Sequence, residues 1–534
     1  MLQTIEAAVF FKGVRPPGIP ADPPAPDWNA LLSHAGTLAP ARFPLNALKT
    51  ILERENTRIG AGEKALDSIR SLGADAIFIV AGQQAGLFGG PLYTMYKAMH
   101  SIRLSARLSE SLSRKVIPLF WVASDDHDLE EVKSLGLRTA DGSPFRVDYA
   151  PAAVTPGIPV GEIVLDEGIH KAIETLAARI TPGARANAYL GILRRAWQPG
   201  VRWSEAFARQ MTALFATWGL VLLDPRWKGV KPLFAGIMRR ELEEPLASST
   251  LVNEEADRAG SAANRRKALR KPEDSTNLFF ETEDGVRHPL LWRKNIFSAG
   301  QTQFSKGELL ALLESEPERF SPGAALRPIC QDSMLPAAAL IAGPGERIYL
   351  EQIAPLYRHF NVARSIPWPR ASFTLLDRRS MRIAEKEHIS PEILFRGMDR
   401  IRTELAGATF PPELKLALDK LTQTTTEGFV RVAAQIRSLD PTLEDMVEKE
   451  KGKALHIVEG ISVRAVRAHK AETSVAETRT LSAAYFLLPE GDPQERWFGL
   501  DAIYPYLGEE GLGEMMEITS PGEEKHRVVV MGEE

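Results

Sequence analysis

Apolar residues in this chain fall into two textures: short runs without alternation, and longer stretches with apolar positions three or four apart. Ala76-Ile77-Phe78-Ile79-Val80-Ala81 and Val116-Ile117-Pro118-Leu119-Phe120-Trp121-Val122-Ala123 belong to the first kind. Such runs predict strands covered on both faces, as in a parallel sheet. Between them, Met95, Met99, Ile102, Leu104 and Leu108 predict a helix over Leu92 to Leu112, so the segment reads as a strand-loop-helix-strand unit. Leu220 to Leu223 predicts a further strand. Phe43 to Leu72 predicts helices with one apolar side, ending at Gly73, and Arg347 to Phe360 one more helix.

Elsewhere the pattern is mixed. Residues 13 to 45 hold eight prolines and predict an extended surface arm. About 130–200, with a strand-like Val160 to Leu165, and about 250–320 read as insertions into the core. From Pro412 the texture changes: Leu414, Leu418, Leu421, Phe429, Val432 and Ile436, and then Val447, Ala454, Val458, Ile461 and Ala465, predict two long antiparallel helices joined at Leu439-Asp440-Pro441. The predicted organisation is an α/β, Rossmann-like parallel-sheet core with connecting insertions over 1–410. An α-helical antiparallel coiled-coil hairpin follows over 411–487, and 488–534 returns to the core.

Composition narrows the class. At 534 residues the chain exceeds what one hydrophobic core serves, and 44% hydrophobic with 25% charged residues is a globular balance. The 65 Lys and Arg against 69 Asp and Glu give a net charge of -4, without the basic excess of a nucleic-acid binder. Cys330 is the single cysteine, which excludes an internal disulfide and a Cys-type zinc site and points to a reducing cytoplasm. No stretch approaches the roughly 18 apolar residues of a membrane span. Covalent catalysis is disfavoured, because Cys330 sits in an apolar, strand-like context and no Gly-x-Ser-x-Gly elbow occurs.

Candidate chemistry gathers where strands give way to loops. Gly82-Gln83-Gln84-Ala85-Gly86-Leu87-Phe88-Gly89-Gly90-Pro91 follows the first strand and opens the helix. Gly82, Gly86 and Gly89 permit close backbone approach, and a helix start offers N–H groups to an anion, so this loop is expected to bind one. A structural tight turn is the competing reading. Gln83 and Gln84 add amide groups, while Tyr93 and Lys97, four apart, share one helix face. Ser124-Asp125-Asp126-His127-Asp128 ends the second strand, where open α/β sheets bind ligands. There Asp126 and His127 suit a base and its orienting partner, a metal site or an amine-holding site, and the three carboxylates are expected to raise the imidazole's proton affinity. Helix capping by the same residues is the alternative. Arg327, Gln331 and Asp332, then Gly343-Pro344-Gly345-Glu346, then Arg370 with Ser372, mark three further strand ends or turns.

The glycine loop with Lys97, the Phe120-Trp121-Val122-Ala123-Ser124-Asp125-Asp126-His127-Asp128 string, Arg327-Pro328 with Gln331-Asp332, Gly343 to Glu346, Pro369 to Thr374 and the late hairpin together resemble the BshC family, over nearly the whole chain. The resemblance implies a Rossmann-like core akin to class I aminoacyl-tRNA synthetases, and a coiled coil that makes a homodimer. It also implies a ligase that joins the carboxylate of cysteine to the amine of glucosaminyl-malate, giving bacillithiol. The His-x-Gly-His and Lys-Met-Ser-Lys-Ser motifs of the synthetases are absent. Amide formation from a free carboxylate is uphill, so ATP is expected, with acyl-adenylate or acyl-phosphate activation and Mg²⁺ to offset phosphate charge. On this reading Asp126, His127 and Lys97 are catalytic. Gly82, Gln83, Gln84, Gly86, Gly89, Tyr93, Asp125, Gln331, Asp332, Gly343, Gly345, Arg370 and Ser372 bind substrate or nucleotide. A nucleotidyltransferase acting on a small acid and a nucleotide-sensing coiled-coil scaffold are the alternatives.

Overall fold

A computed structural model describes residues 2–6, 24, 27–73, 75–139, 144–259, 268–386, 391–395, 399–401, 412–439, 443–468, 474–522 and 525–531. Its centre is a five-stranded, all-parallel sheet. In chain order the strands are β1 (Ile77–Gln83), β2 (Val116–Val122), β3 (Val221–Leu223), β4 (Ala337–Ala342) and β5 (Ile366–Pro369), and in space they run β5-β4-β1-β2-β3. Every residue of β2 and β4 is buried, which is why these strands read as unbroken apolar runs. The chain steps outward from β1 to β2 and β3, then returns to the other side of β1 with β4. The strand order therefore reverses between β1 and β4, and open α/β sheets place ligands at the carboxyl ends of such a pair.

Helix α1 (Leu92–Leu112) links β1 to β2, as its spacing predicts. Cys330 lies in a helix, α2 (Arg327–Met334), and not in a strand: the segment's apolar residues sit three and four apart and Pro328 occupies the first turn. The single helix predicted over Arg347 to Phe360 is two, α3 (Pro344–Gln352) and Ala354–Phe360, because Pro355 interrupts the hydrogen-bond ladder. The proline-rich arm lies mostly outside the described residues, but its end is a helix, Trp28–Thr37, capped by Asp27, with Trp28 edge-on to Trp368.

Both insertions are folded modules. The first carries a two-stranded antiparallel sheet (Ser134–Arg138 with Pro144–Asp148) and helices Gly168–Ala177 and Ala184–Ala196; Val160–Glu162 is a single 3₁₀ turn, not a strand. The second is a five-stranded sheet, including Ser275–Glu281, Arg287–Arg293 and Phe320–Pro322, that stands over the carboxyl ends of the central strands. Helices Pro412–Leu439 and Glu444–Ala468 pack against each other as the predicted hairpin, while its joint, 440–442, lies outside the described residues. Residues 469–473 lie outside the described residues; after them, helix Ser474–Leu487 buries Phe486 and Leu487 against the core and leads into the C-terminal return. That return ends in His526–Val530, paired on one side with Ser372–Leu376 and on the other with Gln3–Glu6.

Candidate active site

A cavity of about 490 Å³ opens at the carboxyl ends of β1 and β2. Its floor is Gly82, Gln83 and Gln84 from β1, with Trp121, Ala123, Asp125, Asp126 and His127 from the end of β2. Its roof is Phe279, Arg287 and Pro322 from the second insertion. The third wall holds Arg327 of α2 with Glu346 and Tyr349 of α3. The strand order thus brings the two halves of the sequence, 82–131 and 323–349, to one crevice.

Only the first part of the glycine loop faces this cavity. Gly86 and Gly89 do not line it, and the anion site expected at the helix start is closed. The amide of Gly86 donates to Gln84 O (2.9 Å), Gly89 to Gly86 O (3.1 Å), Gly90 to Leu87 O (2.9 Å) and Leu92 to Phe498 O (2.8 Å), so these four amides are taken up within the protein. The loop's carbonyls are also engaged: Trp203 Nε1 donates to Ala85 O (2.6 Å) and Gln210 Nε2 to Phe88 O (2.7 Å). The glycines serve close packing instead, since a Cβ on Gly86 would lie 2.6 Å from Gly90 Cα. The tight-turn reading fits this half, and the ligand-facing reading fits Gly82 to Gln84.

Lys97 is not a surface lysine; it is 1% exposed. Its three donors are all directed at named oxygens: Gly82 O (2.9 Å), Gln83 Oε1 (2.9 Å) and Glu346 Oε2 (2.6 Å). Glu346 in turn accepts from the Gly343 amide at the start of α3 (2.7 Å). The ion pair therefore ties β1 to α3 across the reversal point. Burial lowers the ammonium's proton affinity despite Glu346. Burial pushes the Glu346 carboxyl up, but Lys97, the Gly343 amide and Arg327 outweigh it and hold the group below the usual carboxylate range. Both shifts are downward: burial prevails at the ammonium, whereas the cations and the amide prevail at the carboxylate, whose side chain is 30% exposed towards the cavity. Tyr93 shares the grip, accepting from Gln83 Nε2 at 3.3 Å. Lys97 and Tyr93 act on the cavity through Gln83 and Glu346. Gly343 forms the cap, whereas Gly345 meets no neighbour that a side chain would strike.

At the end of β2 the four polar residues divide their work. Asp125 is buried in an ion network with Arg226 and Lys231, each at 3.0 Å, and these cations hold it ionised against the burial penalty. Asp128 caps the short helix Leu129–Val132, as the capping alternative expects. Asp126 accepts from the His127 backbone amide (2.8 Å) and from Gln84 Nε2 (2.7 Å), and Gln84 Nε2 also donates to Glu131 (3.0 Å). Its carboxylate stands 3.9 Å from His127 Nδ1, too far to orient the ring by a hydrogen bond. Nor is the imidazole's proton affinity raised. Burial first, and then the Arg287 charge, lower it against Asp126 and Asp128. Arg287 could not be anticipated, because it comes from the inserted sheet 160 residues away and its strand carries no loop signal.

The remaining predicted binding residues lie behind the wall. Gln331 donates to Asp332 (2.9 Å) and accepts from Arg327 (3.1 Å). Asp332 anchors the start of β5, accepting from Tyr357 (2.9 Å), Ser365 Oγ (2.7 Å) and Ser365 N (3.0 Å). Arg370, expected to meet ligand charge, is a buried bidentate partner of Glu495, and Ser372 donates to the same carboxylate. They join the core to the C-terminal return. Arg327, marked as a candidate in the sequence, lines the cavity, and Arg287, Glu131 and Phe279 are lining residues that the sequence reading does not single out.

Two family models match. Bacillithiol biosynthesis BshC, N-terminal Rossmann-like domain, covers residues 29–371, and the C-terminal coiled-coil domain of the same family covers 373–531. Among curated relatives, proteins named "Putative cysteine ligase BshC" are similar. The one from Koribacter versatilis is 32% identical over 87% of this chain and 85% of its own length, and that from Salinibacter ruber 30% over 88% and 86%. A third, from Thermus thermophilus, is 31% identical over 84% and 86%. With both domains matched and the parallel sheet and helical hairpin in place, this chain belongs to the BshC family of bacillithiol biosynthesis.

Proposed function

We propose that this protein is an ATP-dependent ligase that joins the carboxylate of cysteine to the amine of glucosaminyl-malate, forming bacillithiol. The observation that carries the reading is the split charge of the cavity. Asp126 and Glu131, bridged by Gln84, form an acidic side suited to an ammonium group, and Arg287 and Arg327 form a cationic side suited to carboxylate or phosphate oxygens. A reaction between an amine and an activated acid needs both.

In this assignment Asp126 holds the incoming amine and takes its proton, and the two guanidiniums stabilise negative charge on the activated carboxylate. ATP supplies the leaving group that makes amide formation downhill. Its phosphates would lie against Arg287 and Arg327, not against Gly86 to Gly90, whose glycine amides are paired within the loop and which do not line the cavity. Among the described residues no three His, Cys, Asp or Glu side chains are grouped to hold a metal ion. Mg²⁺ would therefore be held mainly by phosphate oxygens and water. Cysteine recognition proceeds without a thiolate site, since Cys330 is wholly buried.

We place the enzyme in the reducing cytoplasm. No helix among the described residues is long and apolar enough to cross a membrane. We also propose a homodimer through the hairpin, whose Leu416 and Ile457 are 73% and 65% exposed. Mass spectrometry of protein incubated with cysteine, glucosaminyl-malate, ATP and Mg²⁺ tests the reaction. The cysteinyl amide should accumulate together with AMP or ADP; pyrophosphate release without amide would overturn the ligase reading.

A further inference from the structure

Arg287 reaches His127 from the inserted sheet, with one terminal nitrogen 3.1 Å from His127 Nδ1. A guanidinium stays protonated in proteins and has only donors, so Nδ1 must accept. An imidazole that accepts at Nδ1 is neutral and carries its proton on Nε2. Arg287 is itself held firmly. It is 7% exposed, its Nε donates to Ser321 Oγ (2.8 Å), and its Cζ lies 3.6 Å from the centroid of the Phe279 ring. The His127 ring packs against that same phenylalanine, 6.2 Å between centroids. Asp126 cannot impose the opposite tautomer, because its carboxylate is 3.9 Å from Nδ1 and accepts from backbone instead.

We propose that Arg287 is a positioning residue that locks His127 as the neutral Nε2–H tautomer, making His127 a hydrogen-bond donor to a ligand oxygen and not a general base. The oxygen belongs to a carbonyl, carboxylate or phosphate, and which of these it is rests on the ligase reading above. Proton removal from the amine then falls to the carboxylate side of the cavity. The charges facing the ring are consistent with this: burial, Arg287 and His288 disfavour the imidazolium, and Asp126 and Asp128 favour it, with a net lowering.

Nuclear magnetic resonance on full-length protein with ¹⁵N-labelled histidine reads the tautomer without any substrate. The His127 signals, identified by their loss in His127→Gln, should show the Nε2–H pattern at pH 7.5. An Nδ1–H pattern or an imidazolium would overturn the proposal. In Arg287→Met the ring should populate both tautomers and titrate at higher pH, because Asp126 and Asp128 remain; an unchanged pattern would show that Arg287 does not set it. In the ligation assay His127→Gln, which keeps a donor near the Nε2 position, should retain on the order of tenfold more activity than His127→Asn. Equal loss in both counts against the donor role. Absence of ligation in the parent protein would sink the ligase reading while leaving the tautomer measurement to decide this one.

Discussion

Removing Lys97 should loosen the cavity by freeing α3 from β1. In Lys97→Met the Glu346 carboxylate loses an ammonium 2.6 Å away and Gln83 loses a donor at 2.9 Å. At that separation the attraction is about 6 kcal/mol for an effective dielectric constant near 20, and desolvating the ammonium offsets several kcal/mol of it. Breaking such a pair by removing one partner costs roughly 3–5 kcal/mol when both groups are buried. Glu346 is 30% exposed and can recruit water, so the lower end, about 3 kcal/mol, is expected. Urea unfolding followed by the fluorescence of buried Trp121, Trp203 and Trp368 measures it. Glu346→Gln, and the double variant Lys97→Met/Glu346→Gln, complete a cycle. The double variant should lose at least about 1.5 kcal/mol less than the sum of the two single losses. The pH dependence has a definite sign. Because Glu346 is held low in the folded state, its contribution is fully present above the unfolded carboxyl value of about 4.3 and is lost as pH falls through the folded value. Additive single variants, or a Lys97→Met protein with parental stability and an acid profile unchanged below pH 4, would refute the clamp.

Three further outcomes are expected. Gly86→Ala should destabilise by roughly 1–3 kcal/mol, because the new Cβ meets Gly90 backbone at 2.6 Å, while nucleotide affinity of the folded fraction, read by calorimetry, stays within about twofold; selective loss of binding would restore the anion-loop reading. Asp501 is buried and its carboxyl is pushed up to about 7 by that burial, so the folded state favours the neutral acid and loses stability as pH rises from about 4 through 7. Asp501→Asn should gain up to about 4 kcal/mol over the parent between pH 5 and 8 in denaturation curves, and parallel curves would contradict the assignment. Leu416→Glu with Ile457→Glu, both on exposed hairpin positions, should yield a monomer with unchanged core spectra; a dimer that persists in sedimentation places the interface elsewhere.

The sequence by itself was enough for the elements whose signal is local. The runs at 77–83 and 116–122 are strands because parallel strands are covered on both faces, and 92–112 is a helix because its apolar residues repeat at helical spacing. The family motifs likewise marked Gly82 to Gln84, Asp125 to His127 and Arg327, which line the cavity, alongside others that do not. What those residues do there was decided by distant parts of the chain. Gly86 and Gly89 read as a ligand loop until Trp203 and Gln210, 118 and 122 residues from their partners in the chain, took up its carbonyls. Arg370 carries a sequence signal and Arg287 none, yet Glu495 neutralises the first and Phe279 seats the second beside His127. Lys97, expected to be catalytic, is a buried tie to Glu346, some 250 residues on. Hydrophobic periodicity reports which face of an element is covered. It carries no information about which charge from elsewhere will stand within 3 Å of a given polar group, and at that distance the neighbour sets protonation, donor direction and whether the side chain can still meet a ligand.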